Sequence, residues 1–414
     1  MSIQADLRQV IYALSDALDL VGVDDVNHGK RVGIMAAECA KVLGLPTQDR
    51  AFLFDLGLLH DIGVSSTQTH SKLVGEFDWS ESEDHAKTGH ALLRDFVPLA
   101  AMATPIRYHH THWSELEKLD LPPAVAQQAN LIYLVDRVDA LSAPYYGDNS
   151  LLAHTEEIRE TIRQRAGTNF CPDLVEAFLQ ASRSQAFWLL LEPRVVERYL
   201  RDQLSRAEPC RISMAELRQL AEIFSRIVDA KSPFTAQHSL GVSRLSRWLG
   251  ERLGVSAEHC DKLEIAGLLH DLGKLRIPDE ILDKHGQLDP RERLVINTHS
   301  FETYLILSGI KGFEEITPWA AYHHEEPGGN GYPFRLKGET LPLEARILRV
   351  ADIFQAMVQD RPYRRGLTGP DALAFLQHLV ADGRVDGGVV DNLAQDLDQA
   401  MATANPAYPA LRID

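Results

Sequence analysis

Seven side chains in the second half of the chain have the types and spacing of metal ligands: His238, His270, Asp271, His299, His323, His324 and Asp352. They supply five imidazoles and two carboxylates. One ion rarely takes seven protein ligands, whereas two ions sharing a carboxylate use such a set well. A pair of ions can clamp a phosphodiester and make a nucleophile from water at neutral pH. The mixed nitrogen and oxygen donors suit iron, manganese, nickel or zinc better than magnesium or calcium. His323 and His324 are neighbours, and neighbouring helical positions point about 100° apart. Both reach one centre if a helix ends at that point. A loop with three glycines and two prolines follows, Glu325 to Pro333, in which glycine lets the backbone approach a ligand and Tyr332 offers a flat face and a hydroxyl.

The same order of residues is written twice. His28, His60, Asp61, His85, His109, His110 and Asp136 precede the set beginning at His238. The first spacing is 32 residues in both halves, and His85 to His109 matches His299 to His323 at 24. Ten of the 17 histidines fall on these positions, which chance does not arrange. A lone histidine on an apolar face is usually a core residue; an ordered set repeated in register is not.

The elements that must position these residues read as helices. After His28, apolar residues at Val32, Met35, Cys39 and Leu43 keep a helical period that Gly44 stops. Residues 51–60 are almost wholly apolar, so a buried helix delivers His60 and Asp61 at its end. Residues 65–82 read as a polar loop, and His85 opens another helix. The second half repeats this, with a stripe of Leu245, Leu249 and Leu253 and a buried run Leu263–Leu269 before His270. Asp289-Pro290-Arg291-Glu292 is a helix start that leads to His299. Residues 343–357 carry Arg346 and Asp352. No useful strand alternation is present. The fold class expected is all-α, two tandem helical-bundle domains at 1–205 and 206–414, with a linker over 201–213 and at most a small hairpin near the glycine-rich loop.

With 414 residues the chain is too long for one ordinary core. A net charge of −17 argues against broad binding of polynucleotide or anionic membrane, while leaving room for a local basic pocket. No apolar run approaches a membrane span, and the N-terminus lacks a cleavable apolar segment, so a cytoplasmic location is expected. Cys39, Cys171, Cys210 and Cys260 show no paired spacing and read as buried, reduced residues.

His270-Asp271-Leu272-Gly273-Lys274 together with His323-His324 and Gly331-Tyr332-Pro333 resembles the HD-GYP family, metal-dependent phosphodiesterases that linearise cyclic di-GMP. The resemblance covers roughly residues 220–395. It implies that Asp271 bridges two divalent ions, iron or manganese, with His238, His270 and Asp352 on one and His299, His323 and His324 on the other. It implies phosphate contacts from Arg361 and Arg364, and a shaping or stacking role for Tyr332. Some relatives bind a third ion through a Glu four residues before the first histidine; Phe234 stands there, so two ions are expected. Lys274, one turn beyond His270, could reach a phosphate oxygen. Arg346 either supports the substrate or makes a structural ion pair. The substrate implied is a cyclic dinucleotide, cyclic di-GMP first and the mixed guanine–adenine compound second, cut to the linear 5′-phosphorylated dinucleotide or onward to GMP. The rival class is a cyclic-dinucleotide receptor without turnover. A homodimer and signalling partners are compatible with either.

The first half keeps all seven metal-type positions, His28, His60, Asp61, His85, His109, His110 and Asp136, but Val64 replaces the lysine and no GYP follows His110. Asn130 stands for Arg346, and Tyr145 and Asp148 for the two arginines. It therefore reads as able to hold metal but not to grip a cyclic dinucleotide in the family manner. Three readings stay open: a second phosphohydrolase such as a 5′-nucleotidase, a regulatory or dimerising module, or a vestige.

Overall fold

The computed structural model describes residues 5–21, 27–75, 77, 83–206, 209–232, 237–360, 365–407 and 411–413. Among these the fold is all-α, with two isolated β-bridges and no strand. No described helix is long and apolar enough to cross a membrane. Contacts divide the chain into two compact units. One is Leu18–Glu208 with Leu411–Asp414, and the other is Met1–Ala17 with Pro209–Ala410.

In the first unit the helices His28–Val42 and Thr47–Leu59 form the central pair. They approach so closely that a methyl group on Gly57 would lie 2.5 Å from the Cα of Gly33. Leu53, Phe54, Leu56, Leu58 and Leu59 are buried along the second of these helices. Each such side chain contributes about 1.5–3 kcal/mol on burial. Gly44, at φ 72°, ends the first helix. Helices Glu83–Leu93, Ala100–Arg107 and Pro123–Ser142 complete the frame around the histidines.

The second unit repeats the pair as His238–Arg252 and Ala257–Leu269, crossing where Gly267 meets Ser243. Ser256 caps the second helix by accepting from His259 N. The predicted start at Asp289 forms a reciprocal capping box with Glu292 and opens a 19-residue helix, Pro290–Ser308. Residues Leu343–Val358 form the helix that carries Asp352.

The N-terminal segment gives the second unit an unexpected part. Asp6 pairs with Arg211 in a short antiparallel bridge, with Leu7 N donating to Cys210 O at 2.7 Å and Ile212 N to Ala5 O at 3.2 Å. The helix Leu7–Asp19 therefore starts in the company of residues 209–212, a grouping that a simple division at 205/206 does not describe.

Four local expectations are corrected. The stretch read as a polar loop contains a helix, Thr67–Gly75, in which Leu73 is buried and supplies the apolar anchor. The linker begins later than 201, because the amphipathic helix Pro193–Arg206 continues through it. The hairpin near the glycine-rich loop is replaced by a turn organised on a carboxylate, described below. Cys210 is exposed, because it sits in the extended segment before Ser213; the other three cysteines are buried.

Candidate metal centres

In the second unit five of the seven ligand-type residues lie at a helix end or just past one. The helix Ala257–Leu269 stops at His270, and Asp271 follows before the 3₁₀ turn Leu272–Arg276. The helix Ile316–Ala321 stops just before His323 and His324, as their adjacency requires. His238 starts one helix; His299 and Asp352 lie within two others.

The ring orientations are fixed by backbone carbonyls three residues earlier. Nδ1 of His270 donates to Gly267 O at 2.7 Å, that of His299 to Ile296 O at 2.6 Å and that of His323 to Ala320 O at 2.6 Å. This bond makes Nδ1 the protonated nitrogen and leaves Nε2 with a lone pair aimed inward. The same glycine that lets the two central helices touch thus also aims the histidine. His238 is oriented differently, with its Nδ1 at 2.6 Å from the side-chain oxygen of Gln355.

The inward atoms surround Asp271 from two sides. Its Oδ2 lies 3.5 Å from His238 Nε2 and 3.3 Å from His270 Nε2. Its Oδ1 lies 3.5 Å from His299 Nε2 and 3.8 Å from His323 Nε2. Asp352 Oδ1 stands 3.3 Å from His238 Nε2. Two groups with donor atoms within 4.8 Å of one another result, His238/His270/Asp352 and His299/His323/His324, with Asp271 between them.

The donor chemistry fits a pair of cations. His270 Nε2 is buried and has no hydrogen-bond partner. The Nε2 atoms of His299 and His323, both acceptors by the orientation above, face each other at 3.3 Å. Two lone pairs at that distance call for a positive ion between or beside them. Burial favours the neutral imidazole, pushing His299 down to about 4 and His323 and His324 well below the usual range, with neighbouring histidines adding to the effect. Neutral imidazole is the form that binds metal. For Asp271, burial opposes ionisation, but His270 and Lys274 outweigh it and hold the carboxyl well below its ordinary value.

Around this set, Lys274 Nζ lies 2.5 Å from Asp271 Oδ2. The Tyr332 ring lies nearly parallel to His324, with centroids 4.8 Å apart, so the tyrosine backs a candidate ligand. Gly331 is needed for close approach, but to the chain itself: a methyl group there would sit 2.5 Å from Glu325 Cα and His324 O. Arg346 pairs with Asp386, the residue that caps the Gly387–Ala394 helix, which is the structural alternative left open by the sequence. Arg361, Arg364 and Phe234 lie outside the described residues.

The first unit reproduces the arrangement. Asp61 Oδ2 faces His28 at 3.7 Å and His60 at 3.4 Å, and its Oδ1 faces His85 at 3.3 Å and His109 at 3.7 Å. Asp136 Oδ1 is 3.5 Å from His28 Nε2. The groups are Asp61/His85/His109/His110 and His28/His60/Asp61. His60 Nε2 and Asp61 Oδ1 are buried without hydrogen-bond partners, and the Nε2 atoms of His85 and His109 stand 3.3 Å apart. The surroundings differ. Val64 is buried where Lys274 stands, and the cation is instead Arg137, whose Nη2 holds Asp136 Oδ2 at 2.8 Å. Tyr133, three residues before Asp136, packs edge-on to His110 where the other unit uses Tyr332. Asn130 serves structure, donating to Asn169 O and accepting from Cys171 N. His70 lies edge-on to His28 at 5.9 Å.

Sequence reasoning missed several supporting residues. Glu325 is wholly buried and accepts from the backbone N–H groups of Phe334, Arg335 and Leu336 at 2.6, 3.1 and 2.9 Å, which organises the GYP turn. Glu326 receives Arg349 and Arg384. Asp19 and Asp229 each stand nine residues before the first histidine and accept from the backbone N–H of Gly29 and Ser239 at the next helix start. Extending the repeat upstream would have found that pair.

HD-domain family models match residues 26–143 and 222–389, one over each unit's centre. The chain is 36% identical over 95% of its length to the 3′3′-cGAMP-specific phosphodiesterase 1 of Vibrio cholerae, covering 92% of that protein. The chain is an HD-GYP-type member of the HD-domain family. Another relative matches less of it. A cyclic di-GMP phosphodiesterase response regulator of Xanthomonas campestris is 38% identical over 38% of this chain and 43% of its own. The crystal structure of a cyclic GMP-AMP-specific phosphodiesterase of V. cholerae shares 25% identity, with a TM-score of 0.64 over 95% of this chain and 98% of that one. The likeness thus extends over nearly the full length of both chains.

Proposed function

We propose that this protein is a metal-dependent phosphodiesterase that hydrolyses a cyclic dinucleotide, 3′3′-cyclic GMP-AMP in preference to cyclic di-GMP. The observation that carries the preference is the match over 95% of the chain, both HD units included, to a relative named for 3′3′-cGAMP. The Xanthomonas campestris relative named for cyclic di-GMP matches over 38% of the chain. In this reading the order of substrates implied by the family resemblance, cyclic di-GMP first, is reversed.

On this reading His238, His270 and Asp352 hold one ion, His299, His323 and His324 the other, and Asp271 lies between them. When bound, such a pair supplies Lewis acidity at the phosphodiester and a nucleophile at neutral pH. The protein's own groups do the rest. Gly267 O, Ile296 O and Ala320 O hold three imidazoles in one tautomer, so the donor atoms need no reorganisation. Lys274 balances Asp271 and offers a charged donor to a non-bridging phosphate oxygen, where charge accumulates during transfer. Arg361 and Arg364 are assigned to the dinucleotide's phosphates by motif position. Tyr332 keeps His324 in place and shapes the wall beside it.

Product identification tests the reading. Protein purified anaerobically and loaded with iron(II) or manganese is offered 3′3′-cyclic GMP-AMP and cyclic di-GMP, separately and in competition. Linear 5′-phosphorylated dinucleotide, formed faster from the mixed compound and lost in Asp271→Ala but not in Asp61→Ala, is expected. Wild-type turnover in Asp271→Ala would remove the reaction from the second unit. Tight binding without turnover under any metal would establish a receptor instead.

A second reading concerns the first unit. Its complete set, with His60 Nε2 and Asp61 Oδ1 buried and unbonded, supports a second phosphohydrolase acting on a smaller phosphate ester such as the linear product. A dephosphorylated product lost only in Asp61→Ala is expected.

A further inference from the structure

The two centres share their inner residues but differ in what stands behind the first histidine. In the first unit His28 Nδ1 lies 2.8 Å from a carboxylate oxygen of Asp139. In the second, His238 Nδ1 lies 2.6 Å from the amide oxygen of Gln355. Asp139 and Gln355 each follow the terminal aspartate, Asp136 or Asp352, by three residues. A second substitution accompanies the first. Arg31, three residues after His28, grips Asp139 through Nε at 2.6 Å and Nη2 at 2.9 Å, and Tyr146 donates its hydroxyl to the same carboxylate at 2.7 Å. The matching position after His238 is Gly241, where an added methyl group would meet Gln355 Cγ at 2.9 Å and collide with Ala404 O. The second unit has no space there for an arginine, and a neutral amide replaces the carboxylate. Charge and packing have changed together.

A metal-bound imidazole backed by a carboxylate is a stronger donor than one backed by an amide, and changes at such supporting partners typically alter metal affinity 10–100-fold. Arg31 offsets part of the carboxylate's charge, yet it also holds Asp139 ionised and fixed. We propose that the two centres bind metal unequally: Asp139, as a positioning residue for His28, makes the first unit's centre about tenfold more retentive than the Gln355-backed centre of the second. The phosphodiesterase centre is then the one that follows metal supply, while its neighbour stays loaded. This rests on the reading of both clusters as metal centres.

The test counts metal in the full-length protein. Wild type, Asp61→Ala and Asp271→Ala are loaded with manganese(II), dialysed against graded EDTA and assayed for retained metal by mass spectrometry. Two stages of release are expected in wild type, the early one missing from Asp271→Ala and the late one from Asp61→Ala. Asp139→Asn should move the late stage about tenfold toward the early one, and Gln355→Glu should move the early stage the other way, with thermal unfolding recorded for each. If Asp139→Asn does not fold, the order of release and the Gln355→Glu shift decide. Release in a single stage, the reverse order, or no response to Gln355→Glu overturns the proposal. Metal absent from both centres in wild type overturns the metal reading itself, a distinguishable result.

Discussion

Glu325 shows how much a single buried carboxylate can organise. Three backbone N–H groups converge on it from the turn after the GYP triplet, including that of Arg335, which is held at φ 57°. Glu325→Gln replaces one acceptor oxygen by a donor facing those amides. Charged hydrogen bonds contribute roughly 1.5–3 kcal/mol, so the second unit should unfold at lower denaturant by about that amount, with KM for the dinucleotide raised as the turn loosens. An unchanged unfolding midpoint would deny it this role. Arg361→Ala should chiefly raise KM, by a factor corresponding to roughly 1.5–3 kcal/mol for one charged hydrogen bond; steady-state kinetics with an unaltered KM would remove it from the substrate. At this scale the sequence was informative about which side chains converge and poor about what supports them. All fourteen ligand-type positions converge as the repeat suggested, because their spacing was doubled within one chain. Glu325, Asp139 and Gln355 carry no motif, and their work depends on which turn or histidine folding brings to them.

At the scale of elements, the turn after each His-Asp pair must pass against the helix bearing the third histidine. A methyl group on Gly63 would collide with His85 O, and one on Gly273 with His299 O. Neither collision involves a flexible side-chain end, so the helix itself would have to retreat. Gly273→Ala should therefore displace His299 and lower metal content and phosphodiesterase activity together, by at least tenfold in activity. Gly63→Ala should empty the first centre while leaving that activity near wild type. Metal analysis beside turnover checks both. The helical periods around His28 and Leu263–Leu269 were legible because apolar spacing is a local property. The helix Thr67–Gly75 was not, since its sequence is mostly polar around the buried His70 and Leu73, and the end of Pro193–Arg206 was masked by polar residues that suit an exposed helix as well as a linker.

For the whole molecule, the duplicated plan did not reveal that residues 1–17 group with 209–410. Asp6 is the joint. It caps its own helix through Arg8 N and Gln9 N at 3.0 and 3.2 Å, and accepts from Cys210 N at 2.7 Å. Asp6→Ala should lower the unfolding temperature of the second unit, at a cost of about 1–2 kcal/mol typical of a lost cap, and leave the first unit's transition in place; calorimetry resolves the two. The same joint sets a schedule for biosynthesis. The segment with Leu7, Val10, Ile11 and Leu14, all buried in the finished fold, leaves the ribosome before residues 209–212, which emerge only after the intervening unit. At translation speeds of about 5–20 residues per second that delay is roughly 10–40 s. For that interval the apolar face of Leu7–Asp19 lacks the residues 209–212 beside which it starts in the finished fold.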